Sequence, residues 1–191
     1  MVRAVIFDCF GVLIGTSYLA LSELCPVHKR QELADVRKTA DYGYIDRQEY
    51  VSQVARLIGA TTYEADAMIN EHHARNESML SYVRDLRSRG IKTALLSNVG
   101  RGVMERIFTF GELNELFDVV TLSYEVGMVK PDPNIYRATV EKLCLDAADC
   151  LMVDDREEFC AGADAAGLQT LHFLTNASTK RLVEEKIILG Y

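Results

Sequence analysis

Long apolar runs, an excess of basic charge and paired-cysteine spacings are all missing from this chain of 191 residues. Its longest apolar stretches are short strand-like pieces such as residues 4–7, far below the roughly 18–20 residues that span a bilayer, so no membrane segment is expected. The opening residues lack a basic-then-apolar leader, because the first apolar run meets Asp8 almost at once, and a cytoplasmic location is expected. Lysine and arginine total 21 against 28 aspartates and glutamates, and the net charge of −7 makes nucleic acid and anionic membrane poor partners. The cysteines (Cys9, Cys25, Cys144, Cys150, Cys160) are odd in number and follow no C-x-x-C spacing, which implies reduced thiols rather than a disulfide frame or a zinc site. Three prolines and twelve glycines exclude a collagenous or low-complexity chain.

What is present describes a globule able to bury a sizeable core, with 49% hydrophobic and 26% charged residues. Short β-rich runs stand at 4–7, 92–96, 119–122, 151–153 and 170–173, with helical periodicity between them. Tyr82, Leu86 and Arg89 lead to a stop at Gly90; Asp132 before Pro133 fits an N-cap with a first-turn proline; further helices are expected from about Phe159 to Gly167 and from about Ser178 to Leu189. Strands alternating with helices predict an α/β fold with a parallel sheet covered on both faces. Residues 15–81 hold no convincing strand. Asp46 and Glu49 suggest a capping box ahead of Tyr50, Val54 and Leu57, and a second helix is expected from Thr62 to about Arg75. The expected organisation is a helical insertion at 15–81, placed after the first strand, within a core formed by 1–14 and 82–191.

In an open α/β sheet, ligands bind beyond the carboxyl ends of the strands. The residues expected there are Asp8, then Ser97 and Asn98, then Asp154 and Asp155, with Lys130 in a loop before a helix. Singly, each has a plain structural explanation as a cap, a turn or a solvated charge. Jointly, three carboxylates, a hydroxyl and a lysine on one edge make an anion-plus-metal site.

The segments Phe7-Asp8-Cys9-Phe10-Gly11-Val12-Leu13, Leu96-Ser97-Asn98, Lys130-Pro131-Asp132-Pro133 and Val153-Asp154-Asp155 resemble, in order, the four motifs of the haloacid dehalogenase-like hydrolase superfamily. The resemblance covers nearly the whole chain. It implies a Rossmann-like sheet of order 3-2-1-4-5 with the site at its switch point and a small α-helical cap. It also implies Asp8 as the nucleophile that forms an aspartyl-phosphate. Mg²⁺ would be held by Asp8, the Phe10 backbone carbonyl and Asp155, charge neutralised by Lys130, and phosphoryl oxygens bound by Ser97 and backbone N–H groups near Asn98. Asp154 would be a supporting carboxylate paired with Lys130. The implied partner is a small phosphorylated metabolite.

Two positions depart from that pattern. Phosphatases of the superfamily carry a second aspartate two residues after the nucleophile, as proton donor to the leaving group; here it is Phe10. Losing a positioned general acid costs about 10²–10⁴ in rate. Phe159 stands where an aspartate or asparagine often supports the metal. An aromatic at the Phe10 position also fits a metal-independent 2-haloacid dehalogenase, although the Asp154–Asp155 pair argues for a metal. A catalytically impaired, ligand-binding relative is the third reading. In the insertion, Arg75, Arg47 or Tyr44 could touch a phosphate or sugar; His72 and His73 read as a solvated helix face; Cys9 is expected to pack away from the ligand, and His172 to be structural.

Overall fold

The computed structural model describes residues 1–189, so positions 190 and 191 of the expected core lie outside the described residues. β1 (Ala4–Phe7) is buried at all four positions, as befits the centre of a parallel sheet covered on both faces. β2 (Lys92–Ser97), β3 (Val119–Leu122), β4 (Cys150–Asp154) and β5 (Gln169–His172) join it in the order β3-β2-β1-β4-β5, every neighbouring pair parallel. This is the expected sheet, and order reverses at β1. The pairing of Phe7 with Leu95 and with Val153 brings the ends of β1, β2 and β4 level.

Between β1 and β2 lie α1 (Tyr18–Leu24), α2 (Arg30–Asp41), α3 (Arg47–Ile58), α4 (Thr62–Glu71) and α5 (Glu77–Ser88). After β2 come α6 (Met104–Ile107) and α7 (Phe110–Leu116); after β3, α8 (Ser123–Val126) and α9 (Pro133–Leu143); after β4, α10 (Glu157–Ala165); after β5, α11 (Asn176–Leu189). Alternation along the strands sorts the core. Val5, Phe7, Leu95 and Val153 pack with Leu80, Val83 and Leu86 of α5 and Val183 of α11 on one face. Ala4, Ile6, Leu96 and Met152 pack with Ile135, Tyr136 and Val140 of α9 and Ala163 of α10 on the other.

Helices α1 to α4 bury their stripes against one another in a separate cluster that includes Leu21, Leu33, Val36, Val54, Leu57 and Ile69. Three expectations shift. Helix α4 ends at Glu71 rather than near Arg75, because the chain returns to the sheet side: Gly15 N–H donates to the Ala74 carbonyl (2.8 Å) and Ile14 bridges to Arg75. The change-over expected at Tyr82 falls inside α5, whose Met79 and Leu80 already sit in the sheet-side core. At α3 only half the capping box forms: Asp46 accepts the Glu49 N–H (2.8 Å), while the Glu49 carboxylate takes Gln53 instead. Asp132 caps α9 with Pro133 in its first turn, as its sequence predicts.

Candidate active site

β1 delivers Asp8 to the sheet edge, where its own N–H donates to the Val153 carbonyl (2.9 Å). The Asp8 carboxylate accepts the Cys9 N–H (2.7 Å) and lies 2.7 Å from Lys130 Nζ. The same ammonium lies 2.6 Å from Asp154 Oδ2, and Lys130 and Asp154 are 2% and 0% exposed, so the lysine–Asp154 pair is buried beneath Asp8. Burial works to lower the Lys130 pKa, but Asp8 and Asp154 outweigh it and the net shift is upward. The Asp8 carboxyl is pushed up to about 7, chiefly by burial, with repulsion from Asp154 and Asp155 adding and Lys130 opposing.

Several contacts fix Lys130 in place. The Asn98 side chain is spent on it, Nδ2 donating to the Lys130 carbonyl (3.0 Å) and Oδ1 accepting the Lys130 N–H (2.8 Å). Gly162 of α10 lets the following residue approach: a Cβ there would stand 2.4 Å from the Pro131 carbonyl oxygen. Asp154 is held by the Arg156 N–H on Oδ1 (3.0 Å). The expected pairing of Asp154 with Lys130 is therefore present. The Asn98 side chain, by contrast, is committed to the backbone of the lysine loop, and Val99 N–H to Ser123 Oγ (2.9 Å). Ser97 ends β2 fully buried, its hydroxyl 3.5 Å from the Asn98 carbonyl, and it does not line the cavity described below.

Asp155 faces the same centre. His172 Nε2 donates to its backbone carbonyl (2.9 Å), which gives the expected structural histidine a positioning role. Its carboxylate lies against Gly11, whose φ is +94° and whose missing Cβ would meet Oδ2 at 2.2 Å. Oxygens of Asp8, Asp154 and Asp155 all lie within 4.8 Å of one another. Asp155 Oδ1 is buried with no hydrogen-bond partner, and among the described residues the Phe10 carbonyl accepts no hydrogen bond. Buried polar atoms rarely go unpaired. Hard oxygen donors with unspent lone pairs, facing one ammonium against three carboxylates, fit a hard divalent cation.

Asp8, Phe10, Lys130 and Asp155 line a cavity of about 380 Å³. Phe10 projects into it, its ring 5.2 Å from that of His73. His73 is thus half-buried against the site, not on a solvated face. Phe159 lines the wall, flanked by Lys130 Nζ at 4.9 Å and the Arg156 guanidinium at 4.3 Å from its ring centre. The insertion contributes Tyr18, Arg37, Asp41 and Tyr50, none of which its sequence position had marked. Of the expected contacts from this segment, Arg47 lines the cavity with its guanidinium engaged by Asp66 and Asn70. Arg75 is tied to Glu77 and Glu112 outside the cavity, and Tyr44 is exposed against Tyr42. Cys9 packs into the core as expected, its thiol pushed well up by burial. No helix among the described residues is long and apolar enough to cross a membrane.

Comparison with known proteins gives a consistent picture. A family model for haloacid dehalogenase-like hydrolases matches residues 2–167. A protein of Mycobacterium tuberculosis named phosphatase MT3486 is 26% identical over 185 residues, covering 88% of this chain and 85% of its own. The Bacillus cereus pyrophosphatase PpaX is 24% identical over 180 residues, covering 88% and 82%. Among solved structures, the HAD family enzyme BT-2542 of Bacteroides thetaiotaomicron is similar with a TM-score of 0.77 at 21% identity, covering 95% of this chain and 98% of that one. That enzyme has also been solved in complex with magnesium and inorganic phosphate (TM-score 0.71, 22% identity, 90% and 94% covered).

Proposed function

The chain belongs to the haloacid dehalogenase-like hydrolase family, and from that membership we propose a Mg²⁺-dependent hydrolase of small phosphomonoesters that works through an aspartyl-phosphate on Asp8. The observation that carries this reading is the buried group of Asp8, Lys130, Asp154 and Asp155, in which one ammonium faces three carboxylates. The pyrophosphatase and phosphatase names of the relatives, and the magnesium and phosphate bound by the neighbouring enzyme, support the same class.

In this mechanism Asp8 Oδ attacks phosphorus in line, the bond to the leaving oxygen breaks, and water then hydrolyses the acyl phosphate to regenerate the carboxylate. Lys130 orients Asp8 and offsets the charge of the incoming phosphate, and Asp154 holds that ammonium in place. Asp8, Asp155 and the Phe10 carbonyl would hold the ion, which when bound supplies the positive charge that lets an anionic nucleophile approach a phosphate. Free backbone N–H groups near Asn98, which lines the cavity, would hold phosphoryl oxygens, whereas Ser97, buried away from the cavity, would support the strand end rather than touch them. Helices α1 to α4 act as a cap that excludes water from the cavity, whose volume suits a small phosphorylated metabolite.

The Phe10 ring in the cavity favours one other reading, a metal-independent dehalogenase acting at carbon. Asp154 and Asp155 weigh against it, since they would repel a haloacid carboxylate. The test is turnover of p-nitrophenyl phosphate and a panel of small phosphate esters with and without Mg²⁺. We expect activity that chelator abolishes and that Asp8→Asn lowers by about 10³-fold or more. Chloride release from 2-chloropropionate, insensitive to chelator, would replace this reading with the dehalogenase; silence with both substrates would leave a binding protein.

A further inference from the structure

Phe10 leaves the proposed reaction without the side chain that would protonate a departing alkoxide, so the proton must come from elsewhere on the cavity wall. Of the titratable groups there, Asp46 is occupied as the cap of α3. Tyr50 is pushed up to about 12, chiefly by burial, and holds its proton too tightly. His73 is shifted downward by burial first, then by Arg47 and His72, which disfavours its proton-donating form.

Among the wall's carboxyls not already given a role, that leaves Asp41, the last residue of α2. Two contacts dock this helix end on the loop that follows β2. Ser123 Oγ donates to the Asp41 carbonyl (2.5 Å) while accepting the Val99 N–H (2.9 Å), and Gly100 sits so close to Ala40 that a Cβ there would lie 3.3 Å from its carbonyl oxygen. Asp41 is thereby fixed beside the strand-end loop that carries Asn98, and it lines the cavity with Asp8. Among the described residues its carboxylate accepts no hydrogen bond and forms no ion pair. Arg37, one turn earlier, lies over the Tyr18 ring (4.0 Å) instead of pairing with it. Burial raises the Asp41 carboxyl to about 6, against the pull of Arg37, Lys130 and Arg156. The unspent carboxyl thus lines the same cavity as Lys130 and Arg156.

We propose that Asp41 of the helical insertion is the proton donor to the leaving group, in place of an acid at position 10; this rests on the phosphatase reading above. As Asp8 Oδ bonds to phosphorus and the P–O bond to the leaving group breaks, the leaving oxygen takes the proton of the Asp41 carboxylic acid and departs as an alcohol. In the second half-reaction Asp41, now a carboxylate, takes a proton from the water that attacks phosphorus. Asp8 leaves as a carboxylate, phosphate is released, and the acid is restored.

The experiment compares Asp41→Asn and His73→Gln with the wild type on phenyl phosphate and on 2,4-dinitrophenyl phosphate, whose leaving group departs unaided as a stable anion. For D41N, kcat/KM on phenyl phosphate, which reports phosphoryl transfer before the acyl-phosphate hydrolysis that both esters share, should fall about 10²–10⁴-fold, and the fall on the dinitrophenyl ester should be at least tenfold smaller. Residual turnover of that ester also reports a folded variant. Equal losses on the two esters or no change would each overturn the assignment. A loss selective for phenyl phosphate in H73Q and absent in D41N would overturn it in favour of the histidine. A wild type that hydrolyses neither ester with Mg²⁺ refutes the phosphatase reading itself, a result separable from failure of Asp41 alone.

Discussion

Gly11 and Asp155 share a space that has no room for one more carbon. The positive φ of Gly11 is strained for any L side chain, and a Cβ there would collide with the Asp155 carboxylate. Gly11→Ala should therefore cost about 1–3 kcal/mol in denaturant unfolding and weaken Mg²⁺-dependent turnover together, because relieving the clash moves a proposed metal ligand. Asp41 makes the opposite kind of prediction. Its folded-state pKa of about 6 exceeds the ordinary 3.8, so burying it costs stability once it ionises. That penalty is absent below about pH 4, grows through pH 6 and is complete above it. Asp41→Asn should thus raise Tm by about 3–6 °C at pH 8, equivalent to roughly 1–2 kcal/mol, and the gain should vanish near pH 4. A gain that persists at pH 4 would contradict the burial argument.

At the scale of elements, the hinge of interest is the short hydrogen-bonded chain from Val99 N–H through Ser123 Oγ to the Asp41 carbonyl. It ties the end of α2 to the loop after β2 through the first residue of α8. Ser123→Ala strands a buried donor and acceptor and should cost about 1–3 kcal/mol, and it should raise KM for the small phosphate ester, since α2 forms a wall of the cavity. An unchanged KM would mean that the helix end is held by packing alone. Helix α2 itself escaped the sequence reading, although its buried residues Leu33, Val36 and Ala40 lie three and four apart. Polar neighbours surround that stripe, and no cap residue announces it: Lys29 stands at its N-cap without a side-chain hydrogen bond. Helix α9 was legible for the opposite reason, because Asp132 and Pro133 state its start in two residues.

Over the whole molecule, two bodies of apolar packing of unequal strength are joined near residues 15 and 76. The sheet core is closed on both faces by long helices, whereas α1 to α4 share a smaller cluster. Local opening follows buried contact. Amide exchange should accordingly be slowest in β1, β2 and β4 and faster throughout α1 to α4, with a bound phosphate analogue such as vanadate plus Mg²⁺ slowing α2 more than α11. Uniform exchange across both bodies would contradict the picture of a separately opening helical insertion.

The sequence by itself determined the five strands, their parallel arrangement and the edge on which Asp8, Ser97, Asn98, Lys130, Asp154 and Asp155 collect. Strand period, caps and turns are local properties, and parallel crossovers deliver every strand's end to one side. Only the tertiary structure decided how those groups are spent: Asn98 on the lysine loop, Lys130 between two buried carboxylates, and Asp155 against Gly11. It alone placed Asp41 and His73 on the wall of the cavity that holds Asp8, and Arg75 and Tyr44 outside it. The reason is distance along the chain. The docking of α2 on the loop after β2 joins residues far apart in sequence, and no spacing within either segment encodes the meeting.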